Sequence, residues 1–139
     1  MGDIKLVALD LDGTLLTSRK SISRRTHTAL RKALDGGIKI VLATARPPRS
    51  VRTYYKALKL DTPQINYNGA MIWDENSHKV LQHNPLDPVL ALSVIQYARK
   101  LFPNIMVSIE IVDKWYTDHY ADIPEYATET SKHFAPDFI

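Results

Sequence analysis

"IKLVALDLDGTLLTS", Ile4 to Ser18, is the stretch on which the fold turns. Residues 4–9 form an apolar run broken only by Lys5, the pattern of a strand buried on both faces of a parallel sheet. The run ends in two carboxylates, Asp10 and Asp12, one residue apart. A desolvated carboxylate at the edge of a buried strand is costly unless something pairs with it. A metal ion is the partner this spacing suggests. Gly13 permits a tight turn that would put the two acids on different sides.

The chain has 139 residues, which predicts one domain or one domain with part of another. A hydrophobic content of 45% with 24% charged residues predicts a soluble globular protein with a real core. The absence of cysteine excludes disulfides, thiol catalysis and cysteine-ligated zinc. There is no run long enough to span a membrane and no signal-peptide pattern, so the expectation is a cytoplasmic protein with no membrane partner. The net charge is +3, and much of the excess lies in Arg19, Lys20, Arg24, Arg25, Arg31 and Lys32. With no aromatics between them and no nucleic-acid motif, they read as a solvated helix face with a flanking loop.

Outward from the opening stretch, Ser23 reads as an N-cap and Ile22 as a staple onto the first turn. Ala29, Leu30, Ala33 and Leu34 recur at helical spacing, and Gly36 and Gly37 end that helix. "IKIVLA" (38–43) is a second buried strand. "PPRSVRTYYKALKL" is a helix opening on proline, with Val51, Tyr54, Tyr55 and Leu58 on one face. "QINYNG" (64–69) is a third strand ending in Asn-Gly. Strand, helix, strand, helix, strand begins a doubly wound parallel sheet, whose ligands bind outside the carboxyl ends of the strands. The polar groups at those ends are Asp10 and Asp12, then Thr44 and Arg46, then Asn68. Beyond Gly69 the pattern changes to a hairpin, "AMIWD" and "KVLQH" joined by "ENSH". An amphipathic helix over 88–102 and a strand over 105–113 follow.

One carboxylate at such a turn can bind Mg2+, a hard cation that prefers oxygen ligands and keeps several waters. An aspartate so placed can also attack phosphorus, and a second acid two residues on can protonate a leaving oxygen and then activate water. Loop N–H groups and the Thr44 hydroxyl can hold phosphate oxygens. Without a site, Asp10 and Asp12 would form a turn with Asx hydrogen bonds, Thr44 a cap or turn residue, Arg46 a surface arginine and Asn68-Gly69 a turn. His78 and His83 point to opposite faces of a hairpin and read as solvated. His27, His119 and His133 have no metal-ligand partner at useful spacing. Trp73 and Trp115 read as packing residues, with Trp115 and Tyr116 the alternative lining of a substrate face.

"DLDGTLL", "LATAR" and "NYNGA" followed by a hairpin resemble the motifs of the haloacid dehalogenase superfamily of aspartate-nucleophile phosphatases, in its Cof-like subgroup. The resemblance implies an α/β fold: a partial Rossmann-like doubly wound parallel sheet over residues 1–80, followed by part of an α+β cap over 81–139. It implies that Asp10 is the nucleophile and a magnesium ligand. Asp12 would be the acid/base, with its main-chain carbonyl on the metal. The Leu11 amide, Thr44 and the Ala45 amide would bind phosphate, and Arg46 and Asn68 would border the substrate. Ala45 stands where the family usually has glycine.

In such proteins a phosphate-steadying lysine or arginine and a Gly-Asp with a further aspartate follow the cap. Residues 71–139 contain neither in a matching context, and Asp137 sits in "APDFI" near the end. The expectation is therefore the first half of a Mg2+-dependent phosphomonoester hydrolase, acting on small phosphorylated metabolites such as sugar phosphates through an aspartyl-phosphate. As this chain alone it would be weakly active or inactive. An unpaired sheet edge would favour self-association. The alternatives are a non-catalytic fragment that binds phosphate or a partner, and another phosphoryl-transfer enzyme such as a phosphomutase.

Overall fold

Residues 3–118 are described in the computed structural model, and the chain divides into two units, Met1–His83 and Asn84–Ile139. The first unit runs β1 (Leu6–Leu9), α1 (Arg24–Asp35), β2 (Lys39–Leu42), α2 (Pro48–Leu58), β3 (Gln64–Asn66), β4 (Met71–Asp74) and β5 (Lys79–His83). β1 and β2 pair in parallel, with Leu6 opposite Lys39 and Leu9 opposite Leu42. A parallel bridge between Ala43 and Ile65 brings β3 in beside β2. β4 pairs antiparallel with β5, as the hairpin pattern predicts, and β3 also pairs antiparallel with β4, a pairing the sequence pattern did not signal.

Local chemistry sets the helix ends. The Ser23 Oγ accepts the Thr26 N–H at 3.1 Å and starts α1. At its other end Gly37 takes φ +85°. The Ile38 N–H reaches the Ala33 carbonyl at 3.0 Å and the Gly37 N–H reaches Leu34 at 2.9 Å, the paired bonds of a Schellman stop. α2 begins on Pro48, where a missing N–H costs nothing. Its apolar stripe sends Val51, Tyr55 and Leu58 into the core with Leu11, Leu15, Leu16, Ile40, Leu42 and Leu60. α1 and α2 also meet through polar groups: His27 Nε2 lies 3.2 Å from the Ala57 carbonyl and Arg31 donates to the Leu58 carbonyl at 3.1 Å.

The expected burial of the first strand on both faces needs correction. Period-2 alternation puts Val7, Leu9, Ile40 and Leu42 on the face toward the core, whereas Leu6 and Ala8 lie exposed on the other. Among the described residues both helices share a single core with the sheet, so only one face of β1 is covered. The other long edge of β1 has no strand paired to it among the described residues.

The second unit holds α3 (Pro88–Leu101) and the strands β6 (Ser108–Ile111) and β7 (Lys114–Thr117). Asp87 caps α3, its Oδ1 accepting the Val89 and Leu90 N–H groups at 2.9 and 3.0 Å. β6 stops two residues short of the predicted strand, because Val112 turns to φ +58° and starts an antiparallel hairpin. "KWYT" completes it, a strand the sequence pattern did not signal. The Trp115 indole N–H is spent on the Ser108 hydroxyl at 2.6 Å. His78 and His83 are exposed, and His78 stands edge-on to Trp73 at 6.2 Å between ring centres. His119, His133 and Asp137 lie outside the described residues. Among the described residues no helix is long and apolar enough to cross a membrane.

Candidate active site

β1 delivers the chain to Asp10, where the backbone makes a wide turn rather than a helix. The Leu15 N–H bonds the Asp10 carbonyl at 3.2 Å and the Leu16 N–H bonds the Leu11 carbonyl at 2.8 Å. Gly13 sits at φ +78°. A Cβ there would meet nothing within 4 Å, so backbone conformation rather than crowding calls for glycine. Leu11, Leu15 and Leu16 are buried and anchor the loop from beneath. Asp10 and Asp12 are thereby left on the solvent side. The Thr14 hydroxyl donates to Asp10 Oδ2 at 3.2 Å.

The segment after β2 lies beside this loop. Thr44 is buried, with its N–H on the Ile65 carbonyl at 2.9 Å and its own carbonyl accepting the Asn68 N–H at 3.2 Å. Its Oγ1 accepts the Arg46 N–H at 3.3 Å, a turn-capping role that leaves the hydroxyl proton available to an anion. Ala45 is exposed and absent from the residues at positive φ, so this bend does not need glycine. Asn68 is exposed in a left-handed conformation at φ +55°, and its backbone rather than its side chain ties the 67–69 turn to Thr44.

Asp12 is gripped by two cations. Arg46 binds it through two parallel bonds, Nε to Oδ2 at 2.6 Å and Nη2 to Oδ1 at 2.8 Å. Lys20 Nζ adds a third contact to Oδ1 at 2.6 Å. Arg46 is itself placed by the Tyr54 ring, 5.7 Å below its guanidinium carbon. The Tyr54 hydroxyl donates to the Lys20 carbonyl at 2.9 Å, so one tyrosine organises both cations. The Arg46 hydrogen bond holds the Asp12 carboxyl well below the usual carboxylate range. Partial burial opposes this and Lys20 reinforces it. The same pairing raises Arg46 above its ordinary value.

Asp10, Asp12, Thr44 and Arg46 thus come together around one pair of loops. Lys20 and Arg31 depart from the solvated reading of the basic segment. Lys20 pairs with Asp12, while Arg31 pairs with Asp35 at 3.0 Å and binds the end of α2. Lys20 left no periodic signal, since its contact spans a turn closed by the Thr17 and Ser21 hydroxyls at 2.9 Å. Asn66, at the carboxyl end of β3, donates to the Arg46 carbonyl at 2.9 Å. The rule that places ligands at strand ends was the signal that would have found it.

The donors present are hard oxygens. Asp10 is exposed, and together with the Asp12 carbonyl it could fill two positions around Mg2+, which usually takes one or two protein carboxylates and completes its shell with water and phosphate. No group of three carboxylates or histidines able to hold a metal occurs among the described residues. The Asp12 carboxylate faces its two cations, so its carbonyl is the donor that fits.

A family model for haloacid dehalogenase-like hydrolases matches residues 7–138, and the chain belongs to that family. It is therefore a hydrolase by family, with a partial Rossmann-like α/β core. It is 37% identical over 92 residues to pyridoxal phosphate phosphatase YbhA of Escherichia coli K12, covering 66% of this chain and 34% of that protein. Identity is also 37% over 120 residues to 5-amino-6-(5-phospho-D-ribitylamino)uracil phosphatase YitU of Bacillus subtilis, covering 84% and 43% respectively. A haloacid dehalogenase-like hydrolase from Bacteroides thetaiotaomicron superposes with a TM-score of 0.74 at 28% identity, covering 86% of this chain and 46% of that one. The chain spans less than half the length of these relatives.

Proposed function

We propose that the chain carries the nucleophile half of a Mg2+-dependent phosphomonoester hydrolase for small phosphorylated metabolites, sugar phosphates among them. The observation that carries this reading is the junction of Asp10, Asp12, Thr44 and Arg46 at the carboxyl ends of β1 and β2. The phosphatase names of the relatives support the substrate class.

In this reading an Asp10 carboxylate oxygen attacks phosphorus, the bond to the leaving oxygen breaks, and an aspartyl-phosphate forms on Asp10. Asp12 gives a proton to the leaving oxygen and later takes one from the water that releases phosphate. A carboxyl held ionised by two cations is a poor acid, so Arg46 and Lys20 must loosen their grip first. An incoming phosphoryl group gives both cations another anion to bind, which would raise the proton affinity of Asp12 at the moment it is needed. Thr44 and the Leu11 and Ala45 amides hold phosphate oxygens, and Arg46 and Asn68 border the substrate. Mg2+, held by the Asp10 carboxylate and the Asp12 carbonyl, would offset the charge of nucleophile and phosphate.

A cytoplasmic setting belongs to this reading, because phosphorylated metabolites are charged and do not cross a membrane unaided. So does self-association through the edge of β1 that carries no strand among the described residues, near which Ile4 and Leu6 are exposed. A second reading, a non-catalytic phosphate- or partner-binding chain, is favoured by the lack of a third carboxylate beside Asp10 and Asp12 among the described residues. Mg2+-dependent hydrolysis of p-nitrophenyl phosphate separates the two. We expect slow turnover that Asp10→Asn abolishes; equal background rates in both would leave the non-catalytic reading standing.

A further inference from the structure

Gln64, Asn66 and Glu75 are polar yet almost wholly buried, at 0%, 0% and 5% exposure. They form one hydrogen-bonded line. Asn66 Nδ2 donates to the Arg46 carbonyl at 2.9 Å and to Gln64 Oε1 at 3.4 Å. Gln64 Nε2 donates to Glu75 Oε2 at 3.3 Å, and the Trp73 indole N–H donates to the same oxygen at 3.0 Å. Arg52 Nε closes the line on Glu75 Oε1 at 2.5 Å, giving the buried carboxylate the cation it requires.

Both ends of this line accept hydrogen bonds and cannot donate them. The Arg46 carbonyl is an acceptor, and so is an ionised Glu75. The two amides between them are therefore consistent in only one orientation, with each NH2 directed as described. That orientation leaves Asn66 Oδ1 buried without a partner among the described residues. An apolar side chain in the same place would avoid that unfavourable state. What asparagine supplies there is its pair of donors, one of them to the main chain of Arg46.

We propose that Glu75, Gln64 and Asn66 are positioning residues for Arg46. From β3 and the end of β4 the line holds the main chain after β2 in place, and so sets the reach of the Arg46 guanidinium to Asp12. The proposal rests on the hydrolase reading only for its consequence, that a displaced Arg46 slows turnover. The alignment itself is a property of the fold.

Side-chain NMR of the full chain tests it through the Arg46 Nε–H signal, identified by its loss in Arg46→Lys. Asn66→Asp keeps the shape but replaces the donor facing the Arg46 carbonyl with a lone pair. Gln64→Met breaks the middle of the line and leaves the Asn66 contact in place. We expect solvent exchange of the Arg46 Nε–H to quicken about tenfold in Asn66→Asp and about threefold in Gln64→Met, with the Arg31 signal unchanged. Lower thermal midpoints in both variants with an unchanged Arg46 signal would show a merely structural line and overturn the proposal. Turnover of p-nitrophenyl phosphate is read separately: its absence in the wild type counts against the hydrolase reading while the NMR comparison still decides the alignment.

Discussion

At the scale of single residues, Asp12 is conditioned by the two cations that bind it, Arg46 and Lys20. Its carboxyl is 40% exposed while the Arg46 side chain is only 11% exposed, so solvent weakens the pair and about 1 kcal/mol is its upper range. An unfolded aspartate titrates near about 3.9 and the folded one lower. The folded state therefore binds fewer protons at low pH, and the stabilisation is complete above the unfolded value and lost as pH falls through the folded one. Arg46→Ala should lower the urea midpoint at about pH 7, with the gap to wild type closing toward about pH 2. A gap that stays constant with pH would mean that Arg46 contributes by packing on Tyr54 rather than by its charge. Asp12 itself stood out in the sequence, because two acids after an apolar strand are chemically odd. Lys20 was not, because its contact depends on a turn that carries no sequence period.

At the scale of elements, the helices were the most legible parts. Their apolar stripes, the serine cap of α1 and its double-glycine stop are all local signals, and α1 and α2 form where those signals put them. Ser23→Ala removes the acceptor for the Thr26 N–H and should cost about 1 kcal/mol in urea unfolding, with Ser23→Asp restoring most of it. The strands were harder to bound. β6 ends early and β7 was missed because a type of turn, not a change of hydrophobic pattern, separates them; Val112 is an unfavourable residue for positive φ. "ENSH" was read correctly as the hairpin connection, yet its first residue proved to be a buried carboxylate. A glutamate beside a turn normally reads as solvated, and the approach of Arg52, Trp73 and Gln64 makes its burial tolerable.

At the scale of the whole molecule, β1 presents an open edge and an uncovered face among the described residues. Leu6 is 56% exposed, and such an edge invites pairing with another chain. Sedimentation velocity should show concentration-dependent association of the wild-type chain, and Leu6→Lys should shift it toward monomer. Identical sedimentation of the two would argue against pairing through this edge.

By itself the sequence determined the order of elements, the parallel β-α-β core, the family and the acids at the end of β1, because periodicity, caps and motif spacing are short-range properties. Tertiary structure alone decided that Arg46 and Lys20 close on Asp12, that β1 is covered on a single face among the described residues, and that a buried line from Glu75 reaches the main chain of Arg46. These features join residues far apart in the chain, and their energies depend on burial and hydrogen-bond direction, which no local pattern of residues encodes.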